Sequence, residues 1–200
     1  IKMGASSNFG NMFSVLGASL WLPFLPMLSN QILLQNLLYD FSQTTIPFDQ
    51  VDTEYLAKPR RWEIGEISRF MIYIGPLSSI FDYTTFALMW FFYGCTTVNG
   101  QALFQSGWFV EGLLSQTLIV HLIRTAKIPF IESRASWPLI ISTTIIMALG
   151  IIIPMSPVAH YLGFEHLPLS YFGFLALTLL AYCVLTHNVK MWFIRKYGFN

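Results

Sequence analysis

Charge is what this sequence has least of. Only 10% of its 200 residues are Asp, Glu, Lys or Arg, against about 25% in a typical soluble domain. So few charges do not cover a water-facing surface, which argues against a soluble protein. The formal net charge is +1, so neither nucleic-acid binding nor an acidic partner is suggested. Cysteine is scarce too. Cys95 and Cys183 lie far apart and form neither a metal-type nor a redox-type pair. The chain has no glycine-rich phosphate loop, so it offers no ATP site. It has no internal repeat, no low-complexity segment and no signal peptide. It opens at Ile1 rather than at a methionine, so the expectation is a piece of a longer protein.

What is abundant is apolar surface. The residues AVILMFWYC make up 54% of the chain and aromatics 16%, and mean hydropathy is +0.57. A helix that crosses a bilayer needs about 20 mostly apolar residues. Six stretches qualify, at about 9–28, 31–48, 70–92, 103–123, 137–154 and 169–189. The expected fold is therefore all-α, a polytopic membrane protein with six transmembrane helices. Its orientation follows from the cations. Lys2, Lys58, Arg60, Arg61, Arg69, Arg124, Lys127, Arg134, Lys190, Arg195 and Lys196 all fall on the same side of a six-span layout. The connections Pro26–Asn30, Tyr93–Ala102 and Met155–Pro168 carry none. Both termini are then cytoplasmic. Trp21, Trp90, Trp108, Trp137 and Trp192 lie near span ends, where aromatic belts form; Trp62 does not. The charged stretch Asp49–Glu66 reads as a solvated connection, with Asp49 and Asp52 at its start and His121 at an interface.

Ionisable groups at membrane depth are expensive. Asp40, Asp82 and Glu111 lie inside spans, with no lysine or arginine at comparable depth. Such a carboxyl is either protonated or bound to a cation. Asn36, Asp40 and Gln43 share one helix face, and Ser7, Asn8, Asn11 and Ser14 cluster on another. Gly10 and Gly17 allow close helix approach. The short Pro26–Asn30 connection makes spans one and two a hairpin that brings the Asn8/Asn11 face toward the Asn36/Asp40 face. These donors are oxygens, without thiolate or imidazole, so a hard ion such as Mg²⁺, or a proton, is the natural ligand. Asp82 shares its face with Gly75, Ser78 and Thr85 and reads equally as a packing carboxyl or a ligand. Glu111, followed by Ser115, is either a site residue or an acid solvated from the outer side. Ser7, Ser14 and Ser115 read as hydrogen-bonding groups between helices.

The run KMGASSNFGNMFSVL, then LPFLPML and ILLQNLLYDFSQTTIPFDQVD, resembles the fifth and sixth transmembrane helices of P-type cation ATPases. KPRRW, FMIYIGPLSSIFDYTTFALMW and LFQSGWFVEGLLSQTLIVHLIRTAKIPFI resemble the bacterial magnesium-transporting members, and the likeness runs on through PLSYF to the C-terminus. The resemblance implies that residues 1–200 are the C-terminal transmembrane domain, helices five to ten, of an ATP-driven Mg²⁺ importer in the bacterial inner membrane. It places Asn8 and Asn11 at the fifth-helix ion site, and Asn36 and Asp40 at the sixth-helix site with Tyr39 between them. Glu111 falls at the eighth-helix position used by related calcium pumps. Where those pumps carry an acid in the fifth helix, this chain has Asn11, which speaks against calcium. With Asp82 these six are the candidate metal residues; none is catalytic.

The phosphorylation motif DKTGT and the hinge motif TGDG are absent. By the resemblance, ATP is used only through domains outside this chain, and the chain alone is not catalytic. The partners implied are helices one to four, the actuator, phosphorylation and nucleotide-binding domains, the lipid bilayer and Mg²⁺, with no nucleic acid. The alternatives are a stand-alone six-span protein with a binding or regulatory role, or a pump for another hard cation.

Overall fold

The computed structural model describes residues 2–50, 64–125 and 127–197. Asp52, Trp62 and most of the charged connection lie outside them. Among the described residues there is no strand, only an isolated bridge between Pro129 and Ser133. Six helices carry the architecture: α1 (Lys2–Ser19), α2 (Ser29–Gln43), α3 (Ile64–Ala87), α4 (Gln101–Ile123), α5 (Trp137–Met155) and α6 (Leu169–Tyr197).

α2 ends at Gln43 rather than at 48 and α6 runs on to Tyr197 rather than to 189, and two further departures from the expected limits have a visible cause. α1 closes at Ser19 rather than running to Leu28. Pro23 and Pro26 remove two backbone donors, and the chain leaves the helix through Leu20–Leu28. That connection still packs inward: Leu22, Phe24 and Met27 are buried, with Phe24 edge-on to Phe104 at 5.4 Å. α2 then opens at Ser29, where the Gln31 side chain accepts from the Leu28 amide at 2.9 Å and satisfies one of the helix's orphan donors. At the other departure, α3 begins at Ile64, ahead of the apolar stretch, and passes through Pro76 into a wide π-turn at Leu88–Phe92.

α4 is the central helix. Nearly every residue from Phe104 to Leu122 is buried, and α1, α2, α3, α5 and α6 all pack against it. The closest pairing elsewhere is α1 on α3. At Gly10 the backbones come so near that a Cβ would collide with Ser78 and the Gly75 carbonyl. Ser79 donates to the Gly10 carbonyl at 2.8 Å and Tyr83 to the Phe13 carbonyl at 2.7 Å. Small residues that admit the neighbouring backbone, with hydroxyls bonding across, are the usual packing device inside membranes.

The outer surface is apolar. Leu177 and Leu180 of α6 are 66% and 63% exposed, and Ile141 and Ile152 of α5 are 52% and 57% exposed. α5 and α6 are each long and apolar enough to cross a membrane. A helical bundle with its large hydrophobic side chains outward is arranged for hydrocarbon rather than water.

Both ends are tied by polar clasps. At one end Gln31 donates to Gln105, Leu162 and Gly163, while Gln105 donates to the Leu25 carbonyl. At the other, Arg124 pairs with Asp49 at 2.5 Å and also donates to Ser133 and to the Gln50 and Arg134 carbonyls. Asp49 accepts from the Ser136 amide at 2.7 Å. Asp49 is therefore not the solvated loop start expected of it, because Arg124, 75 residues on, comes back to the same helix end. Lys190, 2% exposed, donates to the Leu122, Thr125 and Lys127 carbonyls. A cation placed on a carbonyl of the last turn of α4 and on two just beyond it satisfies groups the helix cannot satisfy itself and complements its dipole.

Candidate functional site

The six candidate residues do not form one cluster. The helices sort them into two groups on opposite faces of α1.

The first group lines an open groove between α1 and α2. Asn8, Asn11 and Asn36 flank it together with Met12, Val15, Leu16 and Ile32, enclosing about 470 Å³. Asn8 and Asn11 are three residues apart, so their side chains fall on one face of α1. Asn36 meets them from α2 across the hairpin turn. Asp40 lies one turn beyond Asn36 on the same stripe and is exposed, but it does not line the groove. Tyr39, between them in sequence, points the other way and is 3% exposed. The groove is lined by three side-chain amides and apolar walls. Among the described residues no three His, Cys, Asp or Glu side chains come together as a metal-binding group. Neutral amides with one carboxylate a turn away suit a hard cation that keeps its waters, and cannot complete the coordination sphere of a bare one.

The second group is closed. Asp82 of α3 is 2% exposed. One of its oxygens lies 2.5 Å from Ser14 Oγ of α1, and the other accepts from Trp108 Nε1 of α4 at 2.8 Å. Glu111, one turn along α4 from Trp108, is 1% exposed. Its carboxyl lies beside that of Asp82 and close to the Ser115 hydroxyl, inside the bundle. The solvated reading of Glu111 is thus excluded. The side-chain amide of Gln116 is buried without a partner among the described residues.

Several sequence expectations meet a different surrounding. Ser14 does bond across to a neighbouring helix, but Ser115 donates within its own helix, to the Gly112 carbonyl at 3.1 Å. Trp108 is a buried hydrogen-bond donor and not part of an interfacial belt. His121 is buried, bonded to Thr143 of α5 at 2.9 Å and packed on Phe130. Asp49–Arg124 and Lys190 were outside the candidate set. The one signal for Lys190 was a lysine directly after a long apolar run. Cys95 is buried, and that burial, with the Glu165 charge nearby, pushes its thiol up to about 11. It stays protonated and is a poor metal ligand or nucleophile.

Comparison with known proteins follows the same lines. A family model described as "Cation transporting ATPase, C-terminus" matches residues 24–192. The chain is 60% identical over 200 residues to "Magnesium-transporting ATPase, P-type 1" of Escherichia coli K12, covering 100% of the chain. It is 58% identical over 198 residues to the protein of that name from Salmonella typhimurium, covering 99% of the chain. In both cases it spans 22% of the relative's length.

Proposed function

Because the chain belongs to the C-terminal family of cation-transporting ATPases, we propose that residues 1–200 form the rear membrane part of an ATP-driven Mg²⁺ importer of the bacterial inner membrane. Its six helices span the bilayer with both termini cytoplasmic, in keeping with the one-sided distribution of lysine and arginine. Asn8, Asn11, Asn36 and Asp40 lie along the ion's route. The observation that supports this reading is the α1–α2 groove, lined by Asn8, Asn11 and Asn36, with Asp40 exposed one turn further along α2.

The chemistry fits Mg²⁺. This ion gives up its water reluctantly and is held by one or two carboxylates plus waters, rather than by a full protein cage. Neutral amides orient those waters, and Asp40 supplies charge. The remaining donors, and the phosphorylation that drives the cycle, come from helices and domains beyond this chain. The groove faces outward from the described bundle, where a further membrane helix can complete the site.

The test is Mg²⁺ uptake by cells relying on the full-length protein. Asp40→Asn keeps the shape and removes the charge. Losing a unit charge beside a dication lowers apparent affinity by at least about 100-fold, roughly 3 kcal/mol. Undiminished uptake would remove Asp40 from the route.

A further inference from the structure

The turn that joins α4 to α5 has an apolar tip. Ile128, Phe130 and Ile131 are all exposed, Ile131 by 79%, although Lys127, Glu132 and Arg134 beside them make this a charged stretch. Phe130 holds a left-handed backbone, φ 69°, which a bulky residue rarely adopts and keeps only where its surroundings fix it. Its ring lies 5.2 Å from that of His121, in the last turn of α4. His121 is in turn bonded to Thr143, well inside α5. The turn therefore doubles back along the bundle. Its tip lies at the depth of the helix ends and not beyond them.

A loop in water can leave its backbone groups to the solvent. Here many of them are bonded to the protein. The Ile128 amide donates to the Glu132 carboxylate at 2.8 Å, and the Glu132 amide donates to the Ile128 carbonyl at 3.0 Å. The Phe130 amide donates to the Ser133 carbonyl at 3.3 Å. The carbonyls of Ser133 and Arg134 accept from Arg124, and those of Thr125 and Lys127 accept from Lys190. Non-helical backbone at membrane depth is tolerated only where the protein meets its polar groups. The apolar surface then runs on from the turn. Trp137, Ile141, Ile145 and Ile152 are exposed at helical spacing along α5, Trp137 by 75%. Lys127 and Arg134, both exposed, flank the tip. Such side chains lay their stems on apolar surface and carry the charge out to the polar level.

We propose that the α4–α5 turn is a membrane-interface anchor. Phe130 and Ile131 sit in the boundary between headgroups and acyl chains of the cytoplasmic leaflet, with Lys127 and Arg134 at the level of the phosphates. The occupant of this surface is the bilayer, because the tip stands at the head of the exposed apolar stripe of α5 and its backbone bonds within the protein. The same turn supplies the Ser133 and Arg134 carbonyls that hold Arg124, and Arg124 holds Asp49 beyond the end of α2. Seating the turn in the leaflet thus fixes the level of that clasp. The inference rests on the bilayer-spanning bundle proposed above and involves no ion.

The experiment attaches an environment-sensitive fluorophore to the thiol of Ile131→Cys in the full-length protein, freed of its other cysteines and reconstituted in phosphatidylcholine vesicles. Lipids brominated high on the acyl chain should quench it several-fold more strongly than lipids brominated near the chain end, and aqueous iodide should quench it weakly. The same label at Leu177→Cys, exposed midway along the apolar stretch of α6, should prefer the deep bromines. Ile128→Cys gives a second reading of the turn if Ile131→Cys assembles poorly. Strong quenching by iodide puts the turn in water and overturns the anchor. Quenching by neither reagent means that protein covers the tip, and overturns it as well. Lipid quenching at Leu177→Cys with none at Ile131→Cys removes the anchor and leaves the membrane bundle standing; none at either position removes both. Mg²⁺ uptake by Asp40→Asn is read separately and does not bear on this result.

Discussion

The groove and the acid pair share one helix but obey different rules. On the face of α1 turned to α2, Asn8 and Asn11 line an open groove whose amides have room around them. On the face turned to α3, Gly10 and Ser14 are in tight contact and Asp82 has both oxygens engaged. Polar groups that must meet a passing ion cannot be fully bonded to the protein. Polar groups that hold helices together must be. Burial alone is therefore no guide to the proposed ion route in this bundle. The most buried acids are on the holding side, and the exposed Asp40 is on the other.

That contrast is open to direct attack. The largest expected effect on stability is Asp82→Ala. It leaves the Trp108 N–H buried without a partner and leaves Ser14 only its longer bond to the Gly10 carbonyl, at about 3 kcal/mol in all. Asp40→Ala should cost less than about 0.5 kcal/mol while crippling uptake. Thermal unfolding in mild detergent checks both, and equal losses would erase the distinction. Next comes Gly10→Val. Its side chain meets Ser78 and the Gly75 carbonyl, so α1 must move off α3 at about 1–3 kcal/mol. An unchanged unfolding temperature would mean that the two helices are not packed as described. The smallest effect concerns Cys95, remote from both sites. Its thiol, pushed up to about 11 by burial, should show slow alkylation at pH 7 that rises roughly tenfold per pH unit up to about pH 10, as the thiolate fraction does. A plateau near pH 8.5 would place it in water.

Much of this was legible in the sequence. The one-dimensional signal of long apolar stretches located α2, α4, α5 and α6 to within a few residues at most limits, because a helix inside a membrane must be both apolar and continuous. The same reasoning carried the first stretch to Leu28, since Leu20, Leu22 and Leu25 are as apolar as any span. The prolines at 23 and 26 decided otherwise. The asparagines facing the groove were found because they repeat at helical spacing. What stayed hidden depends on partners far apart in the chain. Ser14 and Asp82 are separated by 68 positions and Arg124 and Asp49 by 75. Nothing at position 108 distinguishes a tryptophan in an interfacial belt from one that donates to a buried acid. Glu111 gave a signal, an acid within an apolar run, but its burial beside Asp82 needed three dimensions.

The most direct test of the central claim, that the α1–α2 groove and not the acid pair meets the ion, is protection of engineered thiols in the full-length protein freed of its other cysteines. Met12 lines the groove without being a proposed ligand, and Ser14 faces α3. Met12→Cys should react with a small water-soluble thiol reagent, and Mg²⁺ should slow that reaction several-fold. Ser14→Cys should stay unreactive with or without Mg²⁺. An unreactive Met12→Cys beside a reactive, Mg²⁺-protected Ser14→Cys would contradict the account and move the ion to the acid pair.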